Sequence, residues 1–252
     1  MPAKQEIKKH FQKYENEIYR LVEGQYFIST RKLVDSDAEQ ELLESILDNS
    51  KPAAPIKNSK GNLHYLLYTP FRYPPLKTGG RFHTRIEQSI FYGSEELETS
   101  MAEIAFGRFL FMQNSDAELE AMNVPYTHFV VKVKSAKSIL LNKNSFDIER
   151  DKISNPSSYG YSQGLGKLMR DAGAELFTYF SARKKDGINV GLFSVEAFAS
   201  NKPMAGRDKH WSVYITNDKV EFHRSHMKDS KKESHVFEIA SFKTKNKFPS
   251  KI

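Results

Sequence analysis

The chain runs to 252 residues, 39% hydrophobic and 12% aromatic, enough for a real core and too apolar for a disordered chain. It contains no cysteine, which excludes disulfides and thiolate metal sites and makes a reducing cytosol the natural home. The net charge of +7 and the pI near 9.3 suit polyanions such as nucleic acid, anionic membrane or phosphorylated small molecules, although scattered lysines and the tail Lys243–Lys251 explain the excess equally well.

The N-terminal stretch MPAKQEIKKHFQKYENEIYR is charged and lacks the apolar run of a signal peptide. No window approaches the ~18 apolar residues of a membrane span. A cytoplasmic protein without membrane contact is therefore expected. Ile7, Phe11, Tyr14, Ile18 and Leu21 recur at i+3/i+4 spacing, which predicts an amphipathic helix from about Lys4 to Val22. A second helix is expected over Asp37–Leu47, capped by Asp35 or Ser36. Asn49–Gly61, rich in Pro, Lys, Ser and Asn, reads as a linker. The boundary is placed there, with residues 1–60 a helical extension plus linker and residues 61–252 the main domain.

Beyond the linker, short apolar runs read as strands: His64–Tyr68, Ser89–Tyr92, His128–Lys134, Ser138–Leu141, Leu176–Phe180, Ile188–Phe193, Trp211–Ile215, Val220–His223 and His235–Ile239. Helices are expected over Leu97–Met112 and Tyr161–Asp171, and a hairpin turn at Asn217–Asp218. The mixture predicts an α+β domain with a largely antiparallel sheet.

Several familiar motifs are absent. His83, His210, His223 and His226 do not stand at metal-ligand spacing. Gly160-Tyr-Ser-Gln-Gly164-Leu-Gly166-Lys167 fails as a Walker motif, which needs Gly where Tyr161 stands and Ser or Thr where Leu168 stands. There is no dinucleotide fingerprint of the doubly wound fold and no nucleophile elbow.

The stretch from Phe71 to Met112 carries the chemistry. Gly79–Gly80 makes a turn that lets backbone approach a ligand, with Arg72, Arg81 and Arg85 close in sequence. Guanidinium groups bind phosphate bidentately, as a pyrophosphate requires, while any one of them alone reads as surface arginine. The helix after Ser94 is apolar nearly all round, so it is buried. Glu103 sits inside it with no helical ion-pair partner at i+3 or i+4. Such a carboxylate is neutral, paired with an arginine elsewhere, or useful in a cleft. Further on, Ser181 and Arg183 stand at i, i+2 near a polar hairpin. On a strand both would face one side and could hold a phosphate or a ribose; the plainer reading is a solvated hairpin end.

These residues resemble the RES-domain family, named for an Arg, a Glu and a Ser. GGRF…IFYGSEELETSMAEIAF is similar to that family's core, with Arg81, Tyr92 and Glu103 as matching positions, each eleven residues from the next. Ser181 in YFSAR matches the family serine, and Arg72 in TPFRYPP an earlier family arginine. The resemblance spans about residues 64–200. It implies an ADP-ribosyltransferase-like split, mainly antiparallel sheet, and a toxin of a toxin–antitoxin pair that depletes NAD⁺ by phosphorolysis or hydrolysis. It also implies an antitoxin partner with a helix-turn-helix domain; a homodimer is one assembly it admits.

The residue chemistry suits that reaction. Breaking the nicotinamide–ribose bond builds oxocarbenium-like charge, as in glycoside cleavage, and nicotinamide leaves neutral, so no general acid is required. On the resemblance, Glu103 stabilises the charge, Tyr92 packs against nicotinamide or ribose, and Arg81 with Arg72 holds the pyrophosphate. Ser181 and Arg183 bind phosphate, either of NAD⁺ or as inorganic co-substrate. No metal or cofactor is needed and no direct nucleic-acid contact is expected. The competing readings are an ADP-ribosyltransferase acting on a macromolecule and a basic nucleic-acid-binding module, whose affinity would be salt-sensitive.

Overall fold

A computed structural model describes residues 4–24, 33–50, 58–59, 61–116, 119–225, 232–244 and 247–249. The fold is organised by one long strand, β3 (Met122–Leu140). Its centre, His128-Phe-Val-Val131, is buried on both faces, whereas Lys132 and Lys134 alternate outward, the pattern of a strand leaving a two-layered core. The two strands expected at His128–Lys134 and Ser138–Leu141 are this single element.

Along most of its length β3 pairs antiparallel with β1 (Gln12–Glu23), from Gln12↔Ser138 to Glu23↔Tyr126. The helix expected over Lys4–Val22 is thus limited to α1 (Lys4–Lys9), and residues 12–23 belong to the sheet, not to a helical extension. The same residues also carry a period of two: Tyr14, Asn16, Ile18, Arg20 and Val22 lie on one face. Long pairing with β3 decides between the two periodicities. Glu15 adds a cross-strand bridge to Lys132 at 2.9 Å and Lys134 at 3.0 Å, and hydrogen bonds from these lysines hold its carboxyl down to about 2.

The helix at Asp37–Ser50, α2, is present as expected: Ser36 Oγ accepts from Glu39 N, and the Glu39 carboxylate accepts from Asp35 N, a reciprocal cap. The expected linker lies largely outside the described residues. His64–Tyr68 is not a strand. His64 Nδ1 accepts from Leu66 N at 3.3 Å and caps α3 (Tyr65–Arg72), which buries Leu67 and Phe71 one turn apart.

The remaining elements follow in chain order: β2 (Phe91–Ser94), α4 (Leu97–Asn114), α5 (Arg150–Ile153), α6 (Gly160–Ala172), β4 (Leu176–Phe180), β5 (Ile188–Leu192), β6 (Lys209–Ile215), β7 (Lys219–Ser225) and β8 (Lys232–Glu238). The sheet order is β1-β2-β5-β4-β3-β6-β7-β8 with an added β1–β3 pairing. Five strands therefore close a ring of pairings, and β6–β8 extend from it as a meander. Only β3–β4 is parallel, so the α+β, mainly antiparallel architecture is as expected. The β6–β7 turn falls at Asn217–Asp218, closed by Thr216 N to Lys219 O at 2.9 Å.

α4 packs Met101, Ala105, Phe109 and Met112 under the meander against Trp211, Val213 and Phe222. α6 covers the other end with Leu165 and Met169, against Phe82, Ile139 and Phe177. Among the described residues no helix is long and apolar enough to cross a membrane, and no group of three or more His, Asp or Glu could hold a metal ion.

His128 is buried beneath the meander, and its Nδ1 accepts the Trp211 indole N–H at 2.9 Å. Burial, with Arg224 nearby, lowers its pKa from 6.5 to about 4. The unfolded chain therefore protonates first as pH falls, so this group's stabilisation is present above pH 6.5 and lost towards about pH 4. The loss should amount to about 2–3 kcal/mol, at 1.36 kcal/mol per unit. His128→Gln keeps an acceptor for Trp211 and does not titrate. Its Tm should fall less than the wild type's between pH 6.5 and 4; parallel Tm–pH curves would exclude the effect.

Candidate active site

The glycine turn before Arg81 is a conformational requirement. Gly79 has φ +73°, and a Cβ there would lie 2.3 Å from the His83 carbonyl oxygen. The turn closes with Gly80 N donating to His83 O at 2.8 Å, and Gln163 of α6 donates to the Gly80 carbonyl at 3.1 Å. It delivers two side chains. Phe82 goes fully into the core, 4.5 Å from the Phe177 ring and 4.7 Å from that of Tyr179. Arg81, 8% exposed, donates through Nη1 to Asn155 O at 2.7 Å and sits 4.4 Å over the Tyr159 ring.

Gly166 of α6 faces this turn. A Cβ there would lie 2.1 Å from the Phe82 carbonyl oxygen, so the glycine-rich run that fails as a Walker motif serves close packing of α6 on the Arg81 turn.

β2 places Tyr92 opposite. Its hydroxyl accepts from Phe82 N at 3.4 Å, and its ring meets Tyr179 edge-on at 6.5 Å. Burial pushes both phenols well above their usual pKa, so both stay protonated and neutral at physiological pH.

α4 contributes Glu103. Its Oε1 accepts from Ser181 Oγ at 2.7 Å and from Asn189 Nδ2 at 2.6 Å. Ser181 Oγ itself accepts from Arg183 N at 3.0 Å and Lys184 N at 3.1 Å, which leaves its one proton for the carboxylate. Asn189 is fixed in turn by Ser94 Oγ, which donates to its Oδ1 at 2.7 Å. One carboxylate oxygen is thus clamped by two neutral donors. The other, Oε2, has no hydrogen-bond partner among the described residues, and Glu103 makes no ion pair with any of them. No arginine among the described residues makes a direct ion pair with this carboxylate.

Arg81, Tyr92 and Glu103 line one cavity of about 400 Å³ together with Tyr159, Tyr179 and Asn189, a size typical of small-molecule sites. Ser181 stands behind Glu103, not on the wall. Arg183 lies behind the wall as well, its guanidinium 3.3 Å over the Phe106 ring and its Nη2 donating to Pro156 O at 2.8 Å. Burial lowers its pKa, and it remains a cation whose charge Glu103 faces. Arg72 does not join them: it ends α3, 5.9 Å from the centroid of the Tyr73 ring. Arg85 is exposed.

The cavity has a second arginine that the sequence reading missed. Arg20 of β1 lines it and donates through Nη1 to the Tyr92 carbonyl at 2.5 Å. It arrives there because β1 crosses tightly over β2: a Cβ at Gly93 would lie 3.0 Å from the Tyr19 carbonyl oxygen. The helical reading of residues 4–22 hid it. Asn189 was missed too, although an amide inside the apolar run INVGL is itself a signal.

Asn189→Ala removes one of the two donors to Glu103. A hydrogen bond to a charged group is worth about 1.5–3 kcal/mol, so turnover should fall roughly 10-fold or more if Glu103 must be held in place. Turnover within twofold of wild type would show that the clamp is dispensable.

The family model described as "RES domain" matches residues 56–216. A chain in "Crystal structure of the M.tuberculosis MbcT-MbcA toxin-antitoxin complex" is similar at 11% identity, covering 85% of this chain and 92% of that one with a TM-score of 0.47. No curated protein matches. The family match takes in Arg81, Tyr92, Glu103 and Ser181 and spans well over half of the sequence, and so this chain belongs to the RES-domain family.

Proposed function

We propose that the protein cleaves NAD⁺ at the nicotinamide–ribose bond, with water or inorganic phosphate as nucleophile, and acts as the toxin of a toxin–antitoxin pair. The observation that carries this reading is the Glu103 carboxylate, one oxygen clamped and the other unpartnered, on the wall of a cavity that also holds arginine and neutral tyrosine side chains.

As the C–N bond breaks, its electron pair leaves with neutral nicotinamide and positive charge develops on the ribose. The free Glu103 oxygen stabilises that charge, or holds a ribose hydroxyl beside it. Because Ser181 and Asn189 pre-orient the carboxylate, little reorganisation is needed at the moment of reaction. Tyr92 and Tyr179 offer aromatic surface for nicotinamide or ribose. Arg81 places positive charge where the diphosphate would pass. Water as nucleophile yields ADP-ribose, nicotinamide and a proton; phosphate yields the 1-phosphate of the same ribose.

Purified protein incubated with NAD⁺, with and without phosphate, tests this by product identification. Release of nicotinamide with no macromolecule present is expected. Release only when a protein or nucleic acid is added, with ADP-ribose attached to it, would replace cleavage by transfer. We further propose a partner antitoxin carrying a helix-turn-helix domain, whose co-expression should relieve any growth arrest.

A further inference from the structure

The ring of pairings leaves the sheet one free end, and β8 forms it. β7 pairs with all seven of its residues on one side, and no strand among the described residues pairs with the other. An edge of this length, about 23 Å at about 3.3 Å per residue, is a template for a further strand. Lys232, Ser234, Val236 and Glu238 alternate on its exposed face, with Val236 53% exposed, while Glu233, His235 and Phe237 alternate on the half-buried one. Charged side chains on an edge commonly turn foreign strands away. Here a cation stands at one end of the exposed face and a carboxylate at the other.

We infer that β8 pairs antiparallel with β8 of a second copy, about a two-fold axis through His235. Directly opposite residues of an antiparallel pair share a face, and an axis at His235 satisfies this at every position. Lys232 then stands opposite Glu238 of the second copy, and symmetry forms this pair twice, once at each end. Ser234 stands opposite Val236, so the two Val236 side chains become diagonal neighbours beside the axis and cover one another. Moving the axis to Ser234 or to Val236 leaves Lys232 or Glu238 without its opposite charge and shortens the overlap. The charges that discourage an unrelated strand thus fix the register of self-pairing. No residue of β8 lines the main cavity, so this inference is independent of what the cavity binds. One strand edge is small beside a standard interface, so the dimer is weak, with a dissociation constant in the micromolar range.

Sedimentation equilibrium of the full chain through the micromolar range is the test. Wild type should associate as a dimer. Lys232→Glu alone and Glu238→Lys alone should each weaken it about 10-fold, because symmetry doubles every change in a cross-strand pair. The double reversal, Lys232→Glu with Glu238→Lys, should restore it to within about threefold, since the pair is then remade with its signs exchanged. Both positions are exposed, and the Tm of each variant separates lost pairing from lost fold. The chain has no cysteine, so one introduced thiol reports the register. His235→Cys should link to itself under mild oxidation, because opposite Cα atoms lie about 4.5–5.5 Å apart, within disulfide reach. Val236→Cys, more exposed but only a diagonal neighbour of itself, should link more slowly. A monomer throughout the range would overturn the pairing. So would a dimer indifferent to both single reversals, or one that the double reversal fails to restore. Faster linking at Val236→Cys than at His235→Cys would overturn the axis position.

Discussion

Glu103→Gln is expected to leave the fold intact and to lower NAD⁺ cleavage about 100-fold or more, the scale of losing one preorganised electrostatic group. Glutamine keeps the length of the side chain and an oxygen that can accept from Ser181 and Asn189, so the clamp persists. What disappears is the charge on the free oxygen. Had Glu103 been the partner of a buried arginine, neutralising it would strand that cation at about 3–5 kcal/mol. No direct ion pair of that kind exists among the described residues, although the buried Arg183 cation faces Glu103, so Tm should fall by less than that cost implies. Measuring Tm and turnover on the same preparation separates the two roles. An unstable variant with near-normal turnover per folded molecule would defeat the proposal. In cells, the variant should lose any growth arrest that the wild type causes when overexpressed without an antitoxin.

Phe82→Ala should cost about 3–5 kcal/mol of stability, the usual result of emptying a fully buried aromatic site. For a chain of this size each kcal/mol lowers Tm by about 2–4 °C. The consequence reaches the site because Phe82 is the anchor of its turn. Its ring is held between Phe177 and Tyr179, its N–H donates to the Tyr92 hydroxyl, and its carbonyl lies against Gly166. Arg81 is the preceding residue, so it should lose its position with the ring. Phe82→Leu keeps most of the volume and should cost less than about 1.5 kcal/mol, with turnover largely retained. If Phe82→Ala melts like wild type, the turn is held by its glycines and by Gln163 instead.

The Glu103 half of the candidate site was legible in the sequence because its signals are local. An isolated carboxylate in an apolar helix, a double glycine before an arginine and a serine at a strand end each sit within a few residues of their context. Leu176–Phe180 was read to the residue, since a run buried on both faces has no competing period. What failed depends on distant partners. β1 carries helical and strand periodicities together, and only β3 chooses between them. Arg72 looked like a site residue because it is close to Arg81 in sequence, but α3 carries it away from the cavity wall. Arg20 is as distant in sequence as the site allows, and only the β1–β2 crossing brings it to Tyr92.

The ring of pairings has a consequence for the order in which a ribosome can finish this protein. Tyr19 of β1 must wait for Val130 of β3, and Tyr92 of β2 for Gly191 of β5. Long-range pairing of this kind forms late, and translation supplies only about 5–20 residues per second. Until Ser181 and then β5 have left the exit tunnel, Glu103 lacks its pair of donors, Ser181 and Asn189. A nascent chain, or one terminated before Asn189, therefore carries the helix with its carboxylate but not the full clamp, and the cell meets an assembled site only after β5 has emerged.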